Sequence, residues 1–335
     1  MGYSRFLLKR ASQGVVVIWG VVTVVFTLRY ITPGSPVTFI APLDASQALR
    51  EEIAMEYGLN RPLYVQYIEY VVGLLPPNID MGQSFAAGTS VSSQVFAALP
   101  RSLELAVAAT IVAVALSIPL GVISATNRHE PTDYAATTFS LVGISTPNFW
   151  LGLMLTLLLA VQFDIFPTGG MARVNGTPLL LVDALRYLLS GRPQVMLRWL
   201  SHITLPAVTL GTYFTALVTR LTRSGMLDEL GKQYITALRA KGTPETLVRF
   251  RHALKNTLVP IVTVLGLQLG TLIGGAVITE RVFAWPGLGS LLIDAINARQ
   301  WVILQGCLVV VGAGFVIVNT VVDAIYAYLN PEVTV

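Results

Sequence analysis

The residue types that most often carry catalysis or bind metals are few and scattered in this sequence. The histidines, His129, His202 and His252, fall in three separate segments, and the one cysteine is Cys307. No His-x3-His or Cys pair is present, so a metal site has little support. Gly-Ile-Ser-Thr-Pro at 143–147 lacks the last glycine of a nucleophile elbow, and a packed helix kink accounts for it better. Cys307 is interpreted as a buried thiol rather than a redox site.

The sequence also lacks a nucleotide-binding loop. No Gly-x4-Gly-Lys-Ser/Thr motif occurs, so nothing in the chain is expected to cradle the phosphates of ATP. The chain is therefore predicted not to be an enzyme and to need no cofactor of its own.

One basic loop contains several adjacent residues that are typical of helix ends and helix starts. Residues 224–240 contain good helix formers and no proline, and Lys241-Gly242-Thr243-Pro244-Glu245 follows. Gly242 suits the position after a helix, Thr243 an N-cap, Pro244 a first helical position and Glu245 a first turn. This pattern predicts a helix, a sharp corner and a short helix over 244–253. A docking role is favoured, and a plain connector is the alternative.

The amino-acid composition indicates the class of protein to which this loop belongs. Of 335 residues, 54% are hydrophobic and 12% charged, and the mean hydropathy is +0.67. Soluble domains carry about 25% charged residues, and disordered chains are poor in apolar ones. The chain is therefore expected to be an all-α integral membrane protein.

Six uncharged stretches are long enough to cross a bilayer, since a span needs about 20 residues. They are 11–28, 105–127, 134–163, 199–219, 256–279 and 300–322. The first is expected to be a retained helix rather than a cleaved signal peptide. Two further uncharged stretches, 71–79 and 86–100, are expected to be interfacial or loop segments.

Lys and Arg set the orientation, because they concentrate on the cytoplasmic side. Eight of them lie between Arg220 and Lys255, and more lie near the N-terminus. Both termini and the loop 221–255 are therefore expected in the cytoplasm. The net charge of +4 reflects this topology and gives no support for a nucleic-acid partner.

The expected division of the chain is an N-terminal tail with the first span (1–31), an outer loop (32–100) and a core of five spans (101–335). The outer loop is predicted to form a small helical cap, because Asp44 and Gln47 resemble a capping box, Gly58 ends one helix and Pro62 begins another. A mere spacer is the alternative. The outer segment 280–299 is predicted to hold a turn and a short helix through Ala298.

Polar and small residues occur inside the expected spans. Gly266, Gly270 and Gly274 form a ridge for close helix approach, and Pro119, Pro147 and Pro206 are expected to kink spans. Asp323 is interpreted as a structural hydrogen-bonding residue. Five polar residues are candidates for a translocation path, with interhelical hydrogen bonding as the alternative for each: Ser145, Thr146, Asn148, Gln268 and Asn319.

The sequence resembles the permease subunits of ABC importers of the dipeptide/oligopeptide/nickel family, in the B-type branch. The stretch Tyr234-Ile-Thr-Ala-Leu-Arg-Ala-Lys-Gly-Thr-Pro, followed by Arg251-His-Ala-Leu-Lys-Asn-Thr-Leu-Val-Pro, is similar to the family's coupling loop, with Gly242 at its central glycine. Further resemblances begin at Tyr57, His202, Gly274 and Val322. The segment 171–198 matches least well.

This resemblance implies a type I importer permease with six membrane helices and a cytoplasmic coupling helix, in the plasma membrane of a prokaryote. It implies a second permease, two ATPase subunits that bind ATP and Mg²⁺, and an extracytoplasmic binding protein as partners, besides the lipid bilayer. Peptides are the expected cargo, with nickel, glutathione or oligosaccharide as alternatives. The implied coupling residues are Ala237, Ala240, Lys241, Gly242, Thr243, Pro244, Glu245, Leu247, Val248, Phe250, Arg251 and His252.

Two other classes of protein remain as rivals. A stand-alone channel or secondary transporter needs ionisable or filter-like residues at the membrane midplane, and these are scarce. A membrane-embedded hydrolase needs a catalytic group that the expected spans do not offer.

Overall fold

A computed structural model describes the backbone of residues 3–31, 37, 41, 44–84 and 88–329. Side-chain surroundings are described for the same residues apart from 3–7, 259, 273–275 and 326–329. The remainder of the expected outer loop and the expected cytoplasmic residues 330–335 lie outside the described part.

The described chain is mostly helical, because long apolar runs in it are broken only by short clusters of Pro, Gly and polar residues. Two short antiparallel hairpins accompany the helices: β1 (Gln83–Ser84) with β2 (Thr89–Ser90), and β3 (Arg173–Val174) with β4 (Thr177–Pro178). The helices are α1 (Tyr3–Ile31), α2 (Gln47–Glu56), α3 (Leu63–Gly73), α4 (Val91–Thr126), α5 (Pro131–Ser145), α6 (Asn148–Leu155), α7 (Leu181–Leu189), α8 (Pro193–Leu230), α9 (Gln233–Ala240), α10 (Glu245–Leu247), α11 (Leu254–Gly275), α12 (Val277–Val282), α13 (Leu288–Asn297) and α14 (Trp301–Leu329). Two π-helical segments continue α6 (Thr156–Gln162) and join α10 to α11 (Val248–Ala253).

Three described helices are long and apolar enough to cross a membrane: Leu8–Ile31, Val91–Thr126 and Trp301–Ile325. Two bent pairs raise the number to five if each pair is one span. They are Pro131–Ser145 with Asn148–Gln162, bent by 104°, and Glu245–Leu258 with Pro260–Leu272, bent by 51°. A multi-pass helical membrane protein is thereby supported, whereas the expected number of six spans is not confirmed.

The third expected span, 134–163, is wrong as a single helix. Thr146 and Pro147 have extended backbone, with ψ of 124° and 131°, between the end of α5 and the start of α6. A residue before proline is disfavoured in the helical region, which explains why the chain breaks there. The kink expected at 143–147 is therefore a sharp turn between two helices.

The fourth expected span, 199–219, lies inside the 38-residue helix α8, with Pro206 in its interior. This helix is not among the three to five candidates by length and apolar composition. The helix expected over 224–240 is wrong as one element. Gly231 and Lys232 interrupt it, since Lys232 has an extended ψ of 149° and α9 begins only at Gln233.

α4 and α8 form the main packed pair, and small residues let them approach closely. A Cβ atom added at Gly211 would lie 2.8 Å from the carbonyl oxygen of Ala109. Gly121 likewise abuts Thr222. α4 begins at Val91 and continues through Pro100, so the expectation of a loop or interfacial segment over 86–100 is wrong for most of that stretch.

The described outer cap contains the two expected helices, α2 and α3. The N-cap of α2 is Ser46, whose hydroxyl accepts a hydrogen bond of 3.3 Å from the Leu49 N–H, and not Asp44 as the capping-box pattern suggested. Gly58 follows α2 with a φ of +62°, and Pro62 precedes α3. Phe26 of α1 packs edge-on against Tyr67 of α3 at 5.3 Å, which fixes the cap to the first helix.

The glycine ridge of α11 packs against α14 of the same chain. A Cβ at Gly270 would lie 3.2 Å from Asn319 Oδ1, and Gly266 abuts Val322. The packing around Gly274 lies outside the described part. Arg10 Nε pairs with Asp323 Oδ2 at 3.3 Å, which joins α1 to α14 and gives Asp323 a structural partner.

Candidate functional site

The corner of the loop 221–255 is a helix end closed by backbone hydrogen bonds. The Gly242 N–H donates to the Arg239 carbonyl at 2.9 Å, and the Thr243 N–H donates to the Leu238 carbonyl at 3.1 Å. This pair of bonds is the Schellman motif, which places a left-handed residue immediately after the helix. Gly242 has a φ of +78°, and nothing lies within 4 Å of where its Cβ would be. Backbone conformation, not space, therefore requires glycine here.

The helix after the corner begins one residue later than the sequence suggested. Pro244 has an extended ψ of 137° and acts as the N-cap, so Glu245 is the first helical residue. The assignment of Thr243 as N-cap and Pro244 as first helical residue is therefore wrong. The separate short helix expected over 244–253 is also wrong, because α10, the π-helical segment and α11 follow one another without a break. The corner is thus the beginning of a helical rod, Glu245–Leu258, which bends by 51° before it continues as Pro260–Leu272.

Glu245 ties the two sides of the corner together. Arg239 of α9 donates to it through Nη2 at 2.9 Å and through Nε at 3.1 Å, and Arg249 Nε donates at 3.2 Å. The hydrogen bond to Glu245 raises the pKa of Arg239. Because the Arg239 and Glu245 side chains are 45% and 40% exposed, their ion pair adds little stability, but its two parallel hydrogen bonds fix the angle between α9 and α10.

A second carboxylate, Glu229, ties α8 to the start of α11. Tyr234 donates to it at 2.7 Å, Asn256 Nδ2 donates at 3.3 Å, and Lys232 also pairs with it. Desolvation of Glu229 opposes ionisation, but the hydrogen bonds from these partners outweigh it and lower the pKa of the carboxyl group. Glu229 therefore remains an anion at neutral pH and keeps three segments in register.

Apolar residues anchor the loop to the C-terminal ends of α4 and α8. Ile235, Val248 and Ala253 are fully buried against Met226 of α8 and Val122 of α4. Burying the Ile235 and Val248 side chains stabilises the contact by about 1.5–3 kcal/mol each. The loop is thus one packed body with the ends of α4 and α8, and a force on it is transmitted to both.

The structure separates the twelve expected coupling residues by exposure. Val248 is buried inside the chain, so it cannot reach a partner. Leu247 and Phe250 are the large apolar side chains that remain outside, 43% and 58% exposed. Thr243, Glu245 and His252 are half-buried, and the exposed members besides Leu247 and Phe250 are Ala237, Ala240, Lys241, Gly242, Pro244 and Arg251.

Sequence reasoning missed the residues that hold the loop in place. Glu229 and Lys232 are three residues apart, a spacing typical of ion pairs on a helix. This spacing was the one sequence pattern that could have predicted a contact of Glu229. Tyr234 and Asn256 are 22 residues apart, and their 3.1 Å hydrogen bond depends on the corner itself. No local pattern could have paired them.

The five candidate path residues fall into two groups. Ser145, Thr146 and Asn148 lie at the break between α5 and α6, and Thr146 donates to the Val142 carbonyl at 2.7 Å. Gln268 and Asn319 lie on α11 and α14. Asn148 Oδ1 and Asn319 Oδ1 are buried and have no hydrogen-bond partner among the described residues.

The turn between α12 and α13 is built around Glu280, which is 1% exposed. Ser102 of α4 donates to Glu280 Oε1 at 2.6 Å, and the Ser290 N–H donates to Oε2 at 2.9 Å. A carboxylate at the N-terminal turn of α13 satisfies free N–H groups there. Trp285 is fully buried beside it. The expected turn and short helix are confirmed, with α13 ending at Asn297.

Comparison with known proteins places these features in a family. The model for "Binding-protein-dependent transport system inner membrane component" matches residues 117–335, and its N-terminal companion matches 3–106. Similar proteins include the oligopeptide transport system permease protein AppB of Bacillus subtilis (36% identical; 98% of this chain and 99% of that protein covered) and the dipeptide transport system permease protein DppB of Escherichia coli K12 (35%; 98% of each). The probable D,D-dipeptide transport system permease protein DdpB of the same strain is 38% identical over 99% of this chain and 98% of its own. The chain therefore belongs to the family of inner membrane components of binding-protein-dependent transport systems, of the permease kind found in dipeptide and oligopeptide systems.

Proposed function

We propose that this chain is a membrane-spanning permease subunit of an ATP-driven importer and forms, with a second permease, the path for di- and oligopeptides. Family membership supports the permease role, and the names of the relatives support peptides as the cargo. The chain binds no nucleotide itself. Two cytoplasmic ATPase subunits bind ATP and Mg²⁺, and an extracytoplasmic binding protein delivers the peptide.

One observation carries the coupling mechanism: Leu247 and Phe250 project from a helical rod that is fixed at its corner and continues into α11. Exposed apolar side chains on a rigid, basic element suit a groove on a protein partner. In the proposed complex that groove belongs to an ATPase subunit.

Movement of the docked corner is the proposed first step of transport. Closure of the ATPases on ATP displaces the corner, and the hydrogen bonds of Glu245 and Glu229 keep α9 and the rod together as they move. The buried contacts of Ile235 and Val248 pass the displacement to α4 and α8. The two permeases then rock between inward-open and outward-open states around the peptide.

The proposed topology has six spans, with both termini and the corner in the cytoplasm of a prokaryote. α8 supplies the span beyond the five candidates, because it is 38 residues long and packs along most of α4. Ser145, Thr146, Asn148, Gln268 and Asn319 are the proposed polar contacts of the path. The two buried amide oxygens without partners, on Asn148 and Asn319, support this role.

Purification of the tagged chain without crosslinking tests the proposal. We expect a second permease and two ATPase subunits to copurify. Proteoliposomes of that complex, supplied with the binding protein, should accumulate labelled dipeptide only when ATP is present on the ATPase side. Ni²⁺, glutathione and an oligosaccharide serve as competing cargoes. Uptake by the chain alone, without ATP, would instead identify a channel or secondary transporter.

A further inference from the structure

A polar cavity of about 260 Å³ lies where α1 ends against the outer cap and α14. Arg29 from the last turn of α1, Tyr70 of α3 and Gln305 of α14 line it. Arg29 Nε and Nη2 and the Tyr70 hydroxyl are buried, and they have no hydrogen-bond partner among the described residues. Two guanidinium donors and a hydroxyl therefore meet one cavity with their hydrogen-bonding capacity unused.

Gln66, Glu69 and Asp80 also line this cavity, but none of them bonds to Arg29 Nε or Nη2. The Asp80 carboxylate accepts the Gly82 N–H at 2.8 Å, and Glu69 pairs with the exposed Arg61. Gln66 uses its amide group on the Leu59 and Arg61 carbonyls at 3.2 and 2.7 Å and its oxygen on Tyr30. Within the described part of the chain, no carboxylate forms an ion pair with Arg29.

A buried cation with unused donors selects for an anion with at least two acceptor oxygens, since burying an unpaired charge is costly. Arginine binds phosphate and carboxylate with two parallel hydrogen bonds, for which Nε and Nη2 are suited. The Tyr70 hydroxyl can donate to a third oxygen. The chemistry of the site is therefore that of an oxyanion site.

The position of the cavity favours a lipid over the transported cargo as the source of the oxyanion. Arg29 lies two residues before the end of the membrane-span candidate Leu8–Ile31, the depth at which headgroups lie. The neighbouring side chains Leu28 and Ile31 are 40% and 70% exposed and apolar, as acyl chains require. Along α14, Gln305 lies about 21 Å from the proposed path residue Asn319 at ~1.5 Å per residue.

We propose that Arg29 and Tyr70 bind the headgroup phosphate of a phospholipid, which is held between α1, the outer cap and α14 as a structural ligand. The bound lipid fills the gap between the first helix and the cap. Aromatic packing of Phe26 on Tyr70, with ring centroids 5.7 Å apart, holds the hydroxyl toward the cavity side of α3.

Native mass spectrometry of the full-length chain in its purified complex tests this proposal, with phosphatidylglycerol as the added probe. We expect one tightly bound lipid per chain. Arg29→Gln should weaken its binding about tenfold and Tyr70→Phe about threefold, as the loss of charged and neutral hydrogen bonds implies. Arg29→Lys should retain part of the affinity. Arg192→Gln is the matched control, because Arg192 is exposed and does not line this cavity, and it should bind the lipid normally.

Three comparisons separate a phospholipid from other sources of the oxyanion. Diacylglycerol with the same acyl chains lacks the phosphate and should not bind. Inorganic phosphate and the dipeptide Ala-Ala should not displace the lipid; displacement by either one would assign the site to that anion and overturn the proposal. Equal lipid binding by wild type and Arg29→Gln would also overturn it. Should Arg29→Gln fail to fold, the Tyr70→Phe variant and the diacylglycerol comparison on wild type decide the question.

Discussion

Arg223 of α8 donates two parallel hydrogen bonds to Asp133 at the start of α5, from Nε to Oδ1 at 2.9 Å and from Nη2 to Oδ2 at 2.8 Å. Asp133 is 4% exposed, and Ser124 of α4 and the His129 N–H also donate to it. One carboxylate thereby joins the C-terminal parts of α4 and α8 to the start of α5. The pair lies close in sequence to Val122 and Met226, against which the loop after α8 packs.

Removing one partner of this pair should destabilise the chain more than removing both. Arg223→Met leaves a buried carboxylate without its cation, and we expect a loss of roughly 3 kcal/mol in the free energy of unfolding. Asp133→Asn together with Arg223→Met removes both charges and should recover most of that loss. Thermal unfolding of the purified variants in one detergent measures both effects. Equal free energies of unfolding for the single and the double variant would show that the ion pair does not contribute to stability.

Replacement of Gly242 tests whether the corner transmits movement. Gly242→Val forces a residue with a Cβ to a φ of +78°, at a cost of about 1–3 kcal/mol of backbone strain. We expect the protein to reach the membrane but to lose peptide transport and substrate-stimulated ATP hydrolysis in its complex. The three quantities should be measured on the same preparation.

Gly231→Ala is the matched control for this substitution. Gly231 lies in the same loop, but its φ of −80° suits any residue, and its Cβ would lie 3.5 Å from the nearest atom. Transport by this variant should be normal. Full transport by Gly242→Val would show that the loop only connects two helices.

The sequence was sufficient to predict most elements, because span length, proline and glycine act locally. Gly242, the cap helices and the buried turn before α13 were all predicted from neighbouring residues. The break at Thr146–Pro147 was underestimated, since an apolar run says nothing about whether its two halves are collinear. Pro206 lies inside the unbroken helix α8, whereas Pro147 separates two helices. Which of these a proline does depends on the packing of helices distant in sequence.

The candidate site shows the same limit more clearly. Leu247 and Val248 are adjacent and similarly apolar, yet one is 43% exposed and the other fully buried. The direction of each side chain depends on the rotation of the rod, which Glu245, Glu229 and Asn256 fix through contacts distant in sequence. Sequence could therefore predict the corner at Gly242 but not the face that the helix after it presents.

A larger side chain in the glycine ridge should destabilise this chain itself and should weaken assembly only as a consequence. Gly270→Leu places a four-carbon side chain where Asn319 and Phe315 already lie within 3.4 Å of the Cβ position. We expect overpacking to cost about 1–3 kcal/mol and to separate α11 from α14. Thermal unfolding should fall, and assembly with the second permease should fall with it. Gly20→Leu, at a position with open space, should unfold at the wild-type temperature.

Sidedness of labelling tests the topology. Single cysteines introduced at Lys232 and Gly88, both exposed, should react with a membrane-impermeant maleimide from opposite sides of the membrane, because positive charge holds the loop of Lys232 inside. The native Cys307 is fully buried and should contribute little background in the folded protein. Reaction of both introduced cysteines from the same side would contradict the six-span arrangement.

The two exposed apolar side chains of the corner should carry the contact with the ATPase. Leu247→Ala with Phe250→Ala should leave the unfolding temperature unchanged, since both side chains lie largely outside the packed loop, 43% and 58% exposed. Loss of two buried anchors at an interface costs about 2–4 kcal/mol, so the ATPase subunits should dissociate at least 30-fold more readily. Val248→Ala, one residue away and fully buried, should do the opposite. It should lower the unfolding temperature and leave the affinity of the remaining folded protein for the ATPases intact. Copurification and thermal unfolding measured on both variants separate the two roles, and normal ATPase binding by the double variant would place the docking surface elsewhere on the chain.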